Sequence, residues 1–344
     1  MSSEKKICAV IVTFNRKKLL LECLESLKNQ TRPLEAIFII DNHSTDGTPN
    51  LLFEKKYINE KIFENNTENC EKNNNIYLNS KKKINIHYLR LKLNYGGAGG
   101  FYEGLKRAYE TGYDWIWLMD DDAEPQKNAL KCLTNYFHEK NISALASVVK
   151  TRNNEIQLLH RGLFEFKDVL PSISIPLPEN YYNKEMTEID FASFVGILIN
   201  NDVIKKVGFP KKEFFIYYDD LEYCIRLRTH GRILLIKDSI IKHKEASENI
   251  KKLRTNKRLK KYDLPFENFW LRYYSLRNMT WLGKKYNTNI LNFYSKLLLN
   301  IFHYNLLILL HYDNKFKRIK SSIYAYYDGI IENFDNDKPK RILY

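Results

Sequence analysis

What most limits the fold of this chain is a series of short apolar runs that each stop at a polar cluster. Ile7–Phe14 (ICAVIVTF) is continuous, apolar and rich in β-branched residues, the pattern of a strand buried on both faces. Arg16–Asn29 then sets Leu19, Leu20, Cys23, Leu24 and Leu27 at helical spacing. Further strands are predicted over Ala36–Ile40, ending at Asp41, near Ile84–Leu89, and over Trp115–Met119. Helices are expected after Asn94, with Ala98, Phe101, Leu105 and Ala108 on one face, and over Asn128–Phe137. Such alternation implies an α/β chain with a mostly parallel, Rossmann-like sheet and helices on both faces. Ligands of such sheets bind beyond the carboxyl ends of the strands. Thr13–Arg16, Asp41–Gly47 and Asp120–Asp122 all fall there.

The 344 residues, 44% of them hydrophobic, suffice for one large domain or two modest ones. Lys and Arg number 55 against 41 Asp and Glu, a net +14, which favours an anionic partner. No nucleic-acid reader motif is present, so nucleic acid is not the expected one. Five scattered cysteines without a CxxC pair point to reduced thiols, not a disulfide framework or zinc site. Residues 56–83, rich in Asn, Lys and Glu, read as a solvated insertion. The division expected is a catalytic domain over 1–245 and a basic linker with a helical region over 246–344. Lys251–Lys261 (KKLRTNKRLKK) is strongly basic, and helices rich in Tyr, Phe, Leu and Lys follow over 265–335. No signal peptide is expected. Leu297–Leu310, broken by Asn300, His303 and Asn305, reads as too short to span a bilayer, although a helix on a membrane surface fits.

Four constellations carry chemistry. Asp120, Asp121 and Asp122 follow the apolar run at 115–119. Carboxylate oxygens suit Mg²⁺ or Mn²⁺, and an ion held there neutralises a leaving diphosphate. A calcium loop is excluded, because Pro125 stands at position six and Lys131 at position twelve. A helix cap needs one Asp, not three. Asn94–Phe101 (NYGGAGGF) is Gly-rich but is neither GxGxxG nor a Walker loop. It either lets backbone N–H groups approach a ligand or is a plain tight turn. Asp219 or Asp220 starts a helix with Leu221, Cys224, Ile225 and Leu227 on its apolar face. One is a general base, or both are caps. His243 ends the run Ile233–Ile241 and is either a satisfied core histidine or the nitrogen ligand of a carboxylate-rich cation site.

Taken in order, VTFNR, DNHSTDGT, NYGGAGGF, DDDA, FASFVGILI with VGFP, YYDDLEYCIR and His243 resemble the family 2 glycosyltransferases of GT-A fold over roughly residues 6–245. NxGGAGGF followed by DDDA is most similar to the galactofuranosyltransferase branch, with rhamnosyltransferases as neighbours. The resemblance implies that Thr13, Arg16 and Asp41 hold the nucleoside and diphosphate of a nucleotide-sugar donor, a UDP-sugar. Asn94 and Gly97 would shape its pocket, and Asp121 would lie near the donor sugar. Asp120, Asp122 and His243 would bind Mn²⁺ or Mg²⁺, and Asp220 would be the base. Phe191, Ser193, Phe194 and Asp219 would border the acceptor. The reaction implied is inverting transfer of a hexose, galactofuranose in the first instance, to a glycan or polyprenyl-diphosphate-linked acceptor in surface polysaccharide or lipooligosaccharide synthesis.

The competing readings are a sugar-nucleotide-binding module without turnover and a nucleotidyltransferase. The latter would carry a Gly-rich, basic loop after the first strand, where VTFNRKK has no glycine. The basic and aromatic C-terminal region implies either attachment to the inner face of the cytoplasmic membrane or a homo-oligomer interface.

Overall fold

The computed structural model describes residues 5–62, 68–78, 82–167, 170, 172–244 and 265–344. The elements in order begin with β1 (Ile7–Thr13), α1 (Lys17–Lys28), β2 (Ala36–Asp41), α2 (Thr48–Glu54), β3 (Cys70–Tyr77), β4 (Lys83–Arg90), α3 (Gly96–Glu110), β5 (Trp115–Asp120) and β6 (Ala123–Pro125). Next come α4 (Ala129–Thr134), β7 (Ile142–Lys150), β8 (Arg161–Phe164), β9 (Ser174–Pro176), β10 (Met186–Ile189), β11 (Phe191–Ala192), β12 (Ile197–Asn200), α5 (Asn201–Val207), α6 (Asp219–Arg228) and β13 (Arg232–His243). The C-terminal region supplies α7 (Trp270–Tyr286), α8 (Ile290–His311), α9 (Lys315–Ile331) and α10 (Lys338–Leu343). The basic run at 251–261 and the expected boundary at 245/246 lie outside the described residues.

The main sheet has the order β10-β13-β7-β12-β5-β1-β2-β4-β3, with β6 added against β13. Strands β4, β2, β1 and β5 are parallel neighbours; β7 and β13 are parallel to each other and reach that set through the antiparallel β12. Two antiparallel steps restore direction, so β1, β2, β4, β5, β7 and β13 all point the same way. Their carboxyl ends, Thr13, Asp41, Arg90, Asp120, Lys150 and His243, therefore share one edge. The period of two along a strand divides the core. Cys8, Val10 and Val12 face one cluster with Phe101, Leu105, Leu221 and Tyr273. Ile7, Ala9 and Ile11 face the other with Leu20, Leu24, Leu52 and Leu130.

Two expectations are corrected. The 56–83 segment is not wholly a solvated excursion: β3 pairs antiparallel with β4 at the sheet edge. Its side chains alternate between half-buried and exposed, and with Lys, Glu and Asn at most positions it pairs mainly through its backbone, helped by the Asn73–His87 contact at 2.9 Å and by Cys70 and Ile76 against the core. Such polar edge strands resist pairing with other chains and leave no hydrophobic period to read. The apolar run at 297–310 belongs to α8, whose 22 residues are long and apolar enough to cross a membrane by length and composition, with only 17% of the window buried. Asn300, His303 and Asn305 do not break it, because helix propensity tolerates single polar residues.

Candidate active site

β1 and β5 are adjacent, and Val12 pairs with Asp120. That register brings Thr13 beside the acidic triplet. Thr13 Oγ1 donates to Asp121 Oδ2 at 2.7 Å. The Arg16 guanidinium approaches Asp121 at 3.4 Å and Asp122 at 3.2 Å. β13 returns antiparallel to β6, setting His243 opposite Ala123, and His243 Nε2 lies 3.0 Å from Asp122 Oδ1. Lys244 pins this strand end by pairing with Glu22 and, at 3.2 Å, with Glu124. Three acidic groups in a row are thus set on a buried strand end, not in a solvated turn.

The electrostatics follow. Burial and the neighbouring Asp122 push Asp120 up to about 6. Burial pushes Asp121 up to about 7 against the pull of Arg16 and Thr13. Burial also acts against the charged forms of Asp122 and His243, but their mutual attraction outweighs it, lowering Asp122 and raising His243. One ligand atom from each of Asp120, Asp122 and His243 fits within 4.8 Å of the others. Asp122 Oδ1 is buried and makes no well-directed hydrogen bond, despite the nearby imidazole nitrogen. Two hard oxygens, one nitrogen and an acceptor without a donor fit a divalent cation of the Mn²⁺ or Mg²⁺ kind.

Behind His243 stands a chain of polar groups of which sequence reading named Ser193 but missed Gln157, His160 and Arg161. His243 Nδ1 lies 3.3 Å from Gln157 Oε1, and the Gln157 carboxamide donates to the His243 carbonyl at 3.2 Å. His160 Nε2 meets the same Oε1 at 2.9 Å, while its Nδ1 meets Ser193 Oγ at 2.7 Å. An amide oxygen only accepts, so both rings present N–H to it. That leaves His243 Nε2 as the nitrogen facing Asp122: its proton pairs with the carboxylate while the ring is charged, and giving that proton up frees the lone pair a cation needs. Burial holds His160 neutral, down to about 3. The fully buried Arg161 donates to the carbonyls of Ser147, His160 and Val195 and fixes this layer. No periodic or motif signal marks Gln157, His160 or Arg161.

The Gly-rich turn has a structural purpose beyond ligand approach. Gly96 takes φ +73, and a Cβ there would lie 1.9 Å from the Phe215 carbonyl oxygen; one on Gly100 would lie 2.4 Å from Val12 Cγ1. Only Gly97 of the NYGGAGG turn has open space beside it. Asn94 Oδ1 accepts from Gly96 N at 2.8 Å, and Asn42, another residue missed in the sequence, bonds Tyr95 N and the Gly96 carbonyl.

Asp219 and Asp220 open α6. Asp220, half-buried, accepts from Leu221 N at 2.7 Å. Burial and the charge of Asp120 push it up to about 7, so the two acidic sites sit within reach of each other's fields. Burial and Asp220 raise Asp219 further.

Three of the expected contact residues are buried. Asp41 is fully buried, with its oxygens taken by Ser44 N at 2.7 Å and Tyr88 OH at 2.6 Å. It shapes the turn after β2 through these bonds. Phe194 packs between Phe101 and Tyr223, at 4.7 and 6.1 Å. Phe191 is likewise buried. Both rings belong to the core cluster that Leu221, Tyr223 and Cys224 of α6 help to cover. Ser193, between them, is committed to His160.

Residues 8–208, more than half of the chain, match the family Glycosyl transferase family 2. The chain is 26% identical over 249 residues to galactofuranosyltransferase GlfT1 of Mycolicibacterium smegmatis, covering 67% of this chain and 68% of that protein. It is 24% identical over 251 residues to dTDP-rhamnosyl transferase RfbF of Shigella flexneri, covering 71% and 78%. The chain spans about two thirds of the length of the galactofuranosyltransferases it matches. Among solved structures, S. aureus TarS 1–349 in complex with UDP-GlcNAc superposes with TM-score 0.52 at 18% identity, over 96% of this chain and 83% of that one. GalNAc-T7 with UDP, GalNAc and Mn²⁺ gives 0.56 at 11%, over 99% and 59%. The shared fold is GT-A.

Proposed function

This chain belongs to glycosyl transferase family 2, and from that premise we propose that it is an inverting, cation-dependent hexosyltransferase. The donor we favour is UDP-galactofuranose, and the acceptor a glycan or polyprenyl-diphosphate-linked glycan of a surface polysaccharide or lipooligosaccharide. The observation that carries this reading is the pairing of two separate acidic sites: Asp120, Asp122 and His243 on one side, and Asp220 at the start of α6 on the other. Inverting transfer asks for both, one to stabilise the leaving group and one to take a proton from the acceptor.

Asp120, Asp122 and His243 would hold the cation, which supplies charge neutralisation to the departing diphosphate. Arg16, its side chain 41% exposed at the rim, adds a permanent positive charge toward the same phosphates. Thr13 and Arg16 orient Asp121 toward the donor sugar. Asn94 and Gly97 leave room for the donor beside α3. Asp220 accepts the acceptor hydroxyl proton as the acceptor oxygen bonds to the anomeric carbon and the carbon–phosphate oxygen bond breaks. Asp219, buried beside it and raised by burial and by Asp220, would border the acceptor as a carboxyl that keeps its proton. The galactofuranosyl assignment draws on GlfT1, and the rhamnosyl alternative draws on RfbF.

A donor panel tests this. Hydrolysis of UDP-galactofuranose, UDP-galactopyranose, UDP-glucose, UDP-N-acetylglucosamine and dTDP-rhamnose is followed with Mn²⁺ and with EDTA. Turnover of one donor only with cation is expected. Neither turnover nor binding of any donor overturns the assignment. Asp220→Asn should lower turnover by roughly 10²–10⁴-fold, the usual worth of a general base, with donor affinity retained.

The C-terminal helices support a peripheral position on the cytoplasmic face of the membrane. Leu291, Leu298, Leu299, Phe302 and Leu310 of α8 are each more than 60% exposed. From Asn268 to Tyr312 the chain has no acidic residue but, besides the buried Arg277, carries Arg272, Lys284, Lys285 and Lys296. An apolar face in a cation-only segment complements anionic lipid better than a second copy of itself. Co-sedimentation with phosphatidylglycerol vesicles, lost in Leu298→Asp/Phe302→Asp, is the expected result. A concentration-dependent dimer that does not bind vesicles would instead make this face a subunit interface.

A further inference from the structure

The loop that delivers Asp219 and Asp220 is held in a conformation it would not keep alone. Phe215, Tyr217 and Tyr218 all have positive φ, of 64, 70 and 68°. Phe215 has ψ −59, and Ile216 N donates to the Phe214 carbonyl at 2.7 Å, a tight γ-turn of the rare, strained kind. For bulky aromatic residues each such conformation costs on the order of a stabilising contact and persists only where the surroundings over-determine it.

The surroundings are helix α7 and the Gly-rich turn. Asn278 Nδ2 lies 3.0 Å from each of the carbonyl oxygens of Phe214, Ile216 and Tyr217. Arg277 Nη2 donates to the carbonyls of Glu213 and Phe214 at 3.1 Å. The remaining carbonyl, of Phe215, accepts from Ala98 N at 3.0 Å. Five successive carbonyls, 213 to 217, therefore all find donors. Both clamp residues are fully buried. Arg277 Nε donates to Asn278 Oδ1 at 3.0 Å, which fixes the carboxamide with its NH₂ toward the loop. The guanidinium is itself seated against Tyr274 and Phe334, at 5.1 and 5.0 Å. Phe215 stacks on Tyr274 at 4.7 Å.

We infer that Asn278, oriented by Arg277, is a positioning residue for Asp220: α7 holds the strained 214–218 loop so that the α6 carboxylates face the cleft. The C-terminal region thus contributes to the chemistry and is more than an anchor. The inference rests on Asp220 being the base. A carboxylate displaced by about 1 Å loses on the order of 10²-fold in rate, so a clamp of this kind is felt in turnover before it is felt in donor binding.

The test compares Asn278→Leu, which keeps the shape and removes the donors, with Thr280→Val on the same buried helix, which leaves the loop alone. The readouts are Mn²⁺ affinity and hydrolysis of whichever nucleotide sugar the wild-type protein turns over. Asn278→Leu should lose roughly 10²-fold in kcat with KM for donor and cation affinity unchanged, while Thr280→Val keeps wild-type kcat. Combined with Asp220→Asn, Asn278→Leu should add no further loss, since both remove one function. Wild-type kcat in Asn278→Leu beside an inactive Asp220→Asn overturns the clamp and spares the base; wild-type kcat in Asp220→Asn overturns the base itself. Where Asn278→Leu does not fold or no donor is turned over, amide exchange of the wild-type protein decides. Peptides covering 213–218 should be as protected as α7, and exchange at the rate of a free loop overturns the inference.

Discussion

At the scale of single residues, the site is governed by carboxylates that share a buried strand end and helix start. Asp220 is pushed up to about 7 by burial and by Asp120. A base works ionised, so a raised pKa puts its working range above that value. The rate should be level near pH 8 and fall about tenfold per unit well below pH 7. A cation on Asp120 removes the part of the rise that Asp120 contributes, so the limb should lie at or below about 7 in the loaded protein. A pH profile of kcat checks this; a rate independent of pH from 5 to 8 would remove Asp220 from the role. Asp120 and Asp122 were legible as candidate cation ligands because three adjacent acids after an apolar strand have few other uses. Gln157 and His160, which set the tautomer of His243, were not. Their partners lie far away in sequence, and an isolated Gln or His carries no pattern of its own.

At the scale of elements, the glycines of α3 show how one motif serves two purposes. Gly100 lets the helix lie on β1, with Val12 Cγ1 2.4 Å from where a Cβ would sit. Gly100→Ala should therefore destabilise by about 1–3 kcal/mol, the cost of overpacking a filled core. Gly97 has nothing near it. Gly97→Ala should leave stability unchanged or raise it by up to about 1 kcal/mol through helix propensity, while raising KM for the donor. Thermal unfolding and donor kinetics on the two variants separate packing from binding. From the sequence both glycines read alike, since only the packed helix distinguishes the face against β1 from the face beside the cleft. The polar strand β3 escaped notice for a related reason: an edge strand needs backbone partners, not an apolar face.

At the scale of the whole molecule, the six strands that point one way bring β1, β5 and β13 to one edge, so a cation held there would tie residues 120 and 243 together. Mn²⁺ at a hundred times its Kd should stabilise the fold by about 2.7 kcal/mol. The gain should be larger at pH 8 than at pH 5.5. Asp120, pushed up to about 6, and His243, also raised, both hold protons at the lower pH, and the ion must displace them. Thermal unfolding with Mn²⁺ or EDTA at the two pH values checks it; equal shifts at both would exclude these ligands. By itself the sequence determined the α/β alternation, the polar clusters at strand ends and the family-like order of motifs, because periodicity and local spacing are properties of neighbours along the chain. Tertiary structure alone decided that Asp41, Phe191 and Phe194 are buried and that Gln157 aims His243. It also decided that Arg277 and Asn278 hold the loop before Asp219. Each of these depends on which distant backbone carbonyl or ring fills the space beside a side chain, and packing settles that only once the sheet and helices have closed on one another.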